Sequence, residues 1–261
     1  MHLKGGAASK PPLPLMKPVC FMTIASEGEN MRYAKMMANS LKKFHPDIPL
    51  IIRPFEAIHN YRIYAMNGME LAKEYELVIN IDNDSIVTGS LDHIINDESY
   101  DIGGVLNNNL IDPRLNTWDT PSEFYVNAGF VAIRGMEAWE WWNKLNFSPH
   151  WDKYQFREQE MLNIMFHYGN LRTKLFDYSS SNFHGLISKG RWPDIVKRDD
   201  NLIMPKEVIG EYIKGGFPFK EEDKTIRVIH YAGGQTPKMN YFVTFPKEVA
   251  DYIHYLVSEA I

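Results

Sequence analysis

Two aspartates in the first third of the chain have the spacing of a metal-binding pair. Asp82 and Asp84 lie in "NIDNDSIVTG", directly after the apolar run "ELVI". Two carboxylates that leave a buried strand at this spacing point toward one small volume, and their mutual repulsion favours the binding of a cation. Mg²⁺ and Mn²⁺ take oxygen ligands and commonly bridge one or two carboxylates to substrate phosphates. The alternative is that both are ordinary loop residues, because Asp is common after strands.

The elements around this pair alternate between strand and helix. Residues 19–25 and 48–53 are short apolar runs that predict strands, and the segment "MRYAKMMANSLKKFHP" between them has apolar residues at helical spacing. Residues 77–81 form a nearly continuous apolar run, typical of a buried parallel strand, and further strands are predicted at 101–106 and 128–134. This α/β pattern predicts a mostly parallel sheet with helices on both faces. Ligands of such sheets bind beyond the carboxyl ends of the strands, where the two aspartates stand.

The rest of the chain is richer in loops. Residues 135–146 and 158–169 predict two helices, and a mixed segment rich in Ser, Asn, Gly and Pro follows them. Residues 226–232 predict a last strand, which ends in "GGQTPK". Residues 246–260 predict an amphipathic helix that packs on the core. The first 18 residues lack the apolar centre of a secretory signal and predict a flexible leader.

Composition excludes several classes of protein. The chain has 261 residues with 44% hydrophobic content, enough for a large core, and its 28 basic against 33 acidic residues argue against nucleic acid as a partner. Its single cysteine, Cys20, excludes an intramolecular disulfide framework and fits a reducing compartment, so a cytoplasmic location is expected. No apolar run reaches the roughly 18 residues that would predict a membrane span.

Five segments of the sequence form an ordered set of motifs. They are Thr23-Ile24-Ala25 at the end of the first strand, the segment "LVINIDNDSIVTGSLDHI", Asn127-Ala128-Gly129, Glu158-Gln159-Glu160-Met161-Leu162-Asn163, and His230-Tyr231-Ala232-Gly233 with Lys238 beyond it. With these motifs the sequence resembles the nucleotide-sugar glycosyltransferases of the GT-A fold over about residues 19–240. The likeness is greatest to glycosyltransferase family eight, the group of glycogenin and the bacterial lipooligosaccharide galactosyltransferases. Glu158 stands where that family usually has Asp, and Lys238 lies two positions beyond the family spacing.

The resemblance implies an activity and a set of site residues. The implied activity is metal-dependent transfer of a sugar, with retention of configuration, from a nucleotide diphosphate sugar to a hydroxyl group of a glycan or another acceptor. Uridine is the implied base of the donor. The implied ligands of Mn²⁺ or Mg²⁺ are Asp82, Asp84 and His230. The implied donor-binding residues are Thr23, Ile24, Ala25, Asn83, Asp84, Gly233 and Lys238. The implied catalytic residues are Asn127, Glu158, Gln159 and Lys238.

The implied roles agree with the chemistry of these side chains. An imidazole at His230 is a ligand that Mn²⁺ accepts beside two carboxylates. Lys238 could stabilise the leaving diphosphate, and Gly233 and Gly234 would let the backbone approach the phosphates closely. Trp118, in a polar loop, is a candidate platform for the acceptor sugar.

The predicted organisation is a single GT-A domain over residues 19–261 after the leader at 1–18. The nucleotide-sugar half covers about 19–106, the acceptor half about 107–245, and the C-terminal helix 246–261. The donor and acceptor are therefore the expected partners, and the sequence predicts neither the donor sugar nor the oligomeric state.

Two other functions remain open on the sequence alone. A haloacid-dehalogenase-like phosphohydrolase would use Asp82 as nucleophile with Lys197, Asp199 and Asp200 as partners, although its D-x-D normally follows the first strand. A non-catalytic carbohydrate-binding protein would explain aromatic residues such as Trp139 but not the aspartate pair.

Overall fold

The structure is a computed structural model that describes residues 17–55, 62–106, 125–149, 151–154, 156–177, 195–206, 222–231 and 245–258. Its strands are β1 (Lys17–Ala25), β2 (Leu50–Pro54), β3 (Tyr75–Ile81), β4 (Ser85–Val87), β5 (Ile102–Leu106), β6 (Val126–Arg134), β7 (Thr173–Leu175), β8 (Val196–Arg198), β9 (Asn201–Met204), β10 (Lys224–Ile226) and β11 (Val228–His230). Its helices are α1 (Glu29–Phe44), α2 (Ile63–Leu71), α3 (Asp92–Ile95), α4 (Glu137–Asn146), α5 (Arg157–Tyr168) and α6 (Lys247–Val257). Among the described residues, no helix is both long enough and apolar enough to cross a membrane.

The main sheet has six strands in the order β2-β1-β3-β6-β5-β7. β1 runs parallel to β2 and β3, and β5 runs parallel to β7. β6 lies antiparallel between β3 and β5. The predicted α/β fold with a mixed, mostly parallel sheet is therefore confirmed. Because β6 is antiparallel, its first residues extend past the carboxyl end of β3 and reach the aspartate pair.

Both faces of this sheet are covered by helices. Along β1 the side chains alternate, so that Phe21 faces α1 and α6 whereas Met22 faces α2, α4 and α5. β3 is buried on both sides, as its continuous apolar run predicts. Burial of each large apolar side chain of this kind contributes roughly 1.5–3 kcal/mol, so the two cores fix the strand ends that carry the site.

A short antiparallel ladder joins β4 to β11 and pairs Ser85 with His230. The sequence predicts one strand over residues 226–232, but the structure divides it at Arg227, because β10 pairs with β9 and β11 with β4. Thr88 stabilises this change of partner, since its backbone N–H donates to the Arg227 carbonyl at 2.7 Å. The ladder brings the last strand to the residues that follow β3.

Candidate functional site

Three residues that are distant in sequence converge at the carboxyl end of β3. Ligand atoms of Asp82, Asp84 and His230 all lie within 4.8 Å of one another. His230 Nε2 lies 3.2 Å from Asp84 Oδ1 and 3.5 Å from Asp82 Oδ2. His230 is buried, whereas both carboxylates are partly exposed. The structure therefore brings together the three residues that the sequence assigns to metal binding.

The two carboxylates determine the charge of the imidazole. Burial by itself would lower the pKa of His230, but the negative charges of Asp84 and Asp82 outweigh it and raise the pKa to about 10. The protonated imidazole balances part of their charge at neutral pH. A metal ligand must instead be neutral imidazole, so cation binding here is linked to proton release.

The group fits a hard divalent cation. Two carboxylates and one imidazole are ligands that Mn²⁺ accepts, and Mg²⁺ also takes the carboxylates. The wall behind the group is Gly129, where an added Cβ would lie 2.2 Å from His230 Cε1 and 2.8 Å from Asp82 Oδ2. Because any larger residue would collide with two of the three side chains, the close approach requires glycine at this position.

Backbone hydrogen bonds hold the turn that carries the aspartates. The Asp82 N–H donates to the Gly129 carbonyl at 2.9 Å, which extends the β3–β6 ladder by one step. The Tyr231 N–H donates to the Asp84 carbonyl at 3.0 Å. Asn83 Nδ2 donates to the Ile24 carbonyl at 2.6 Å and so ties the turn to the end of β1.

The predicted nucleotide-binding segment lies beside this turn. Thr23, Ile24 and Ala25 are all buried at the carboxyl end of β1, and Asn83 contacts them through the Ile24 carbonyl. Lys238 and the glycines at 233 and 234 lie outside the described residues, as does Trp118.

The catalytic candidates on β6 and α5 contact one another. Gln159 Oε1 accepts hydrogen bonds from Asn127 Nδ2 at 3.2 Å and from the Ala128 N–H at 2.9 Å. Asn127 Oδ1 in turn accepts from the Gly129 N–H at 2.8 Å. Both side chains are thus oriented by the strand that forms the wall of the site.

The environment of Glu158 favours the protonated form of its carboxyl group. Its side chain remains partly exposed, but burial raises the pKa to about 8, and the charge of Asp82 adds to the rise. The raised pKa therefore favours the carboxylic acid, which can donate a hydrogen bond, over the carboxylate.

Two residues of the site have no role assigned to them by the sequence analysis, although Asn163 belongs to one of its motifs. Asn163 joins α5 to β6, because its amide accepts from the Val126 N–H at 2.7 Å and donates to the Val126 carbonyl at 2.9 Å. The sequence signal for this role is the four-residue spacing between Gln159 and Asn163, which places both side chains on one face of α5.

The second residue is Tyr64, whose hydroxyl donates to Asp82 Oδ1 at 3.1 Å. Burial raises the pKa of this hydroxyl, as does the charge of Asp82. The sequence contains no local signal for that contact.

The residues required by the alternative functions have other contacts. Lys197 lies 3.9 Å from Asp200, and its ammonium group lies 5.2 Å from the centre of the Tyr252 ring on α6. Trp139 and Trp142 are fully buried and stack on each other. These positions fit structural roles and give no support to a phosphohydrolase centre or to sugar stacking by these tryptophans.

No protein-family model matches the sequence, and neither does any curated protein. Several solved structures share its fold. Galactosyltransferase LgtC, solved with donor and acceptor sugar analogs, is 16% identical with a TM-score of 0.55, and the match covers 91% of this chain and 94% of LgtC. Glycosyltransferase GlyE of Streptococcus pneumoniae is 11% identical with a TM-score of 0.55, and the match covers 92% of this chain but only 63% of GlyE.

A third similar structure is mouse xyloside xylosyltransferase 1. It is 12% identical with a TM-score of 0.51, over 84% of this chain and 99% of that one. All three are glycosyltransferases, and their identities to this chain are too low to establish more than a shared architecture. The chain therefore has the GT-A fold of glycosyltransferases, as the resemblance of its sequence predicts.

Proposed function

We propose that the protein is a metal-dependent glycosyltransferase that moves a sugar from a nucleotide diphosphate sugar to a hydroxyl group of a glycan or another acceptor. The observation that carries this proposal is the convergence of Asp82, Asp84 and His230 at the end of β3, in a fold shared with solved glycosyltransferases. A uridine donor and retention of configuration are proposed from the resemblance to family eight.

Asp82, Asp84 and His230 would hold Mn²⁺ or Mg²⁺. A divalent cation there supplies positive charge to the donor diphosphate and stabilises it as it leaves. The segment at Thr23, Ile24 and Ala25 would receive the nucleotide, because Asn83 links it directly to the metal-binding turn. Gly233 and Lys238, which lie outside the described residues, are proposed to bind the donor phosphates because the resemblance to family eight implies it.

Asn127, Glu158 and Gln159 would orient the transferred sugar. Asn127 and Gln159 form one hydrogen-bonded unit beside Gly129, and a solved active-site variant of LgtC carries glutamate in place of a glutamine. Burial raises the pKa of Glu158, so its protonated form would donate a hydrogen bond to the sugar or acceptor instead of acting as a carboxylate base.

The test measures turnover of nucleotide sugars with Mn²⁺, with Mg²⁺ and with a chelator. We expect hydrolysis or transfer only with the metals, and we expect Asp84→Asn to lower kcat/KM at least about tenfold, because loss of a ligand costs no less than loss of an outer-sphere partner. Asp47→Asn is the matched control, since Asp47 is an exposed aspartate in a turn. Metal-independent turnover, or full activity of Asp84→Asn, would contradict the proposal.

A phosphatase assay separates the main alternative. Release of phosphate from simple phosphomonoesters, with loss of that activity in Asp82→Asn, would favour the phosphohydrolase.

A further inference from the structure

The two oxygens of the Asp82 carboxylate have different partners. Oδ1 accepts a hydrogen bond from the Tyr64 hydroxyl at 3.1 Å. Oδ2 is the oxygen that faces His230 Nε2, at 3.5 Å, and it also lies against the position of Gly129. The carboxylate is therefore held from two sides, and only one of its oxygens faces the other ligands.

Helix α2, which carries Tyr64, is fixed by core packing. Ala65 is fully buried next to Tyr64. One turn further on, a Cβ added at Gly68 would lie 2.2 Å from the Trp139 ring, so the two helices are in close contact. On the other side of Tyr64, the Arg62 guanidinium lies 4.8 Å from the centre of the Trp151 ring. Because close-packed interiors restrict such elements, the Tyr64 hydroxyl has a defined position relative to β3.

We propose that Tyr64 is a positioning residue, whose hydrogen bond orients the Asp82 carboxylate so that Oδ2 is presented to the divalent cation. The inference rests on the proposed function. A phenol hydroxyl is a proton donor at neutral pH, and its hydrogen bond to a carboxylate is of the stronger, charge-assisted kind. Without this bond the carboxylate can rotate, and the cation must then order it at a cost in affinity. In other metal sites, residues that hydrogen-bond to the metal ligands orient those ligands, and their loss weakens metal binding.

The variant that isolates this bond is Tyr64→Phe, which removes the hydroxyl and keeps the ring. Titration calorimetry of the full chain with Mn²⁺, alone and with uridine diphosphate, measures the Kd of the ion apart from turnover. We expect Tyr64→Phe to raise this Kd about tenfold. The control is Tyr100→Phe, because Tyr100 is buried and donates one hydrogen bond, to the Ile94 carbonyl at 2.8 Å, outside the site. We expect the control to keep the wild-type Kd.

Steady-state kinetics provide a second measurement, which distinguishes a positioning role of Tyr64 from a purely structural one. In Tyr64→Phe the KM for Mn²⁺ should rise about as much as the Kd, whereas kcat at saturating Mn²⁺ should change less. Tyr64→Phe with the Kd of the wild-type chain would overturn the inference. An equal rise in Kd for Tyr100→Phe would also overturn it, because it would show general loosening of the fold. A wild-type chain that binds no Mn²⁺ under either condition would contradict the proposed function as well.

Discussion

At the scale of single residues, the candidate site depends on the glycine at position 129. Gly129 lies against Asp82 and His230, and its carbonyl accepts the hydrogen bond that continues β6 onto the aspartate turn. The same residue therefore provides space for the proposed metal ligands and holds the backbone of one of them. A methyl group at this position must displace at least one ligand.

We predict that Gly129→Ala raises the Kd for Mn²⁺ at least tenfold and lowers the free energy of unfolding by about 1–3 kcal/mol, the usual cost of an overpacked site. Calorimetric titration and urea denaturation measure the two effects. Gly89→Ala is a suitable control, since an added Cβ there would meet only the flexible Arg227 side chain closely, at 3.3 Å. Wild-type affinity in Gly129→Ala would show that the ligands do not need this close approach.

At the scale of elements, the site is supported by contacts between the ends of helices and strands. Asn163 attaches α5 to β6, and His45 attaches the end of α1 to the segment before α3. His45 Nε2 accepts a hydrogen bond from the Leu91 N–H at 2.9 Å, so the imidazole must be unprotonated at that atom. Burial lowers the pKa of His45, and the opposing charge of Asp92 is weaker.

We predict from this contact that acid weakens the fold. Because the pKa of His45 is lower in the folded than in the unfolded chain, the stabilisation is complete above the unfolded pKa of about 6.5 and is lost as pH falls from there toward the folded pKa. Urea denaturation between pH 7.5 and 5 measures the slope.

The matched variant for that measurement is His45→Gln, whose amide oxygen can still accept from Leu91 and does not titrate. We expect a smaller loss of stability with acid in this variant than in the wild-type chain. Above about pH 6.5 His230 acts in the opposite direction, because its pKa of about 10 keeps it protonated in the folded chain whereas the unfolded chain releases that proton. This contribution is the same in both proteins and cancels when their slopes are compared. Equal slopes for the two proteins would contradict the role of His45.

Elements with a strong local pattern could be predicted from the sequence. The apolar run of β3 predicts both its burial and its end at the aspartates, and the structure agrees. The segment "NGMELAKEYE" predicts a helix over residues 67–76, whereas α2 begins at Ile63 and ends at Leu71, so Tyr64 was missed. The division between β10 and β11 was also missed, because residues 226–232 have the composition of a single strand and the partner strands that divide it are distant in sequence.

The candidate site, like the fold, could be predicted only in part from the sequence. The resemblance to family eight implies which residues meet, including His230 and Asp84, and the structure brings these two together. It could not predict the hydrogen bond from Tyr64, because that contact depends on how α2 packs against Trp139. Contacts set by helix packing have no signature in the local sequence.

At the scale of the whole molecule, donor binding should raise thermal stability, because a ligand selective for the folded chain shifts the unfolding equilibrium. We predict that one nucleotide sugar or nucleotide diphosphate raises Tm by roughly 5–10 °C at about 100 times its Kd, and only with Mn²⁺ or Mg²⁺ present. A thermal-shift screen with and without a chelator measures this. The same rise with the chelator would argue against a metal-bridged donor.

The β4–β11 ladder also has a consequence for the order of folding. Asp82 and Asp84 follow β3 early in the chain, but His230 belongs to β11, so the ladder closes a very long loop. Contacts between such distant segments form late, because the entropy of loop closure must be overcome first. During synthesis the two aspartates therefore leave the ribosome well before their partner. The ability to bind Mn²⁺ should appear only with the last steps of folding, which makes the ion a reporter of the completed chain.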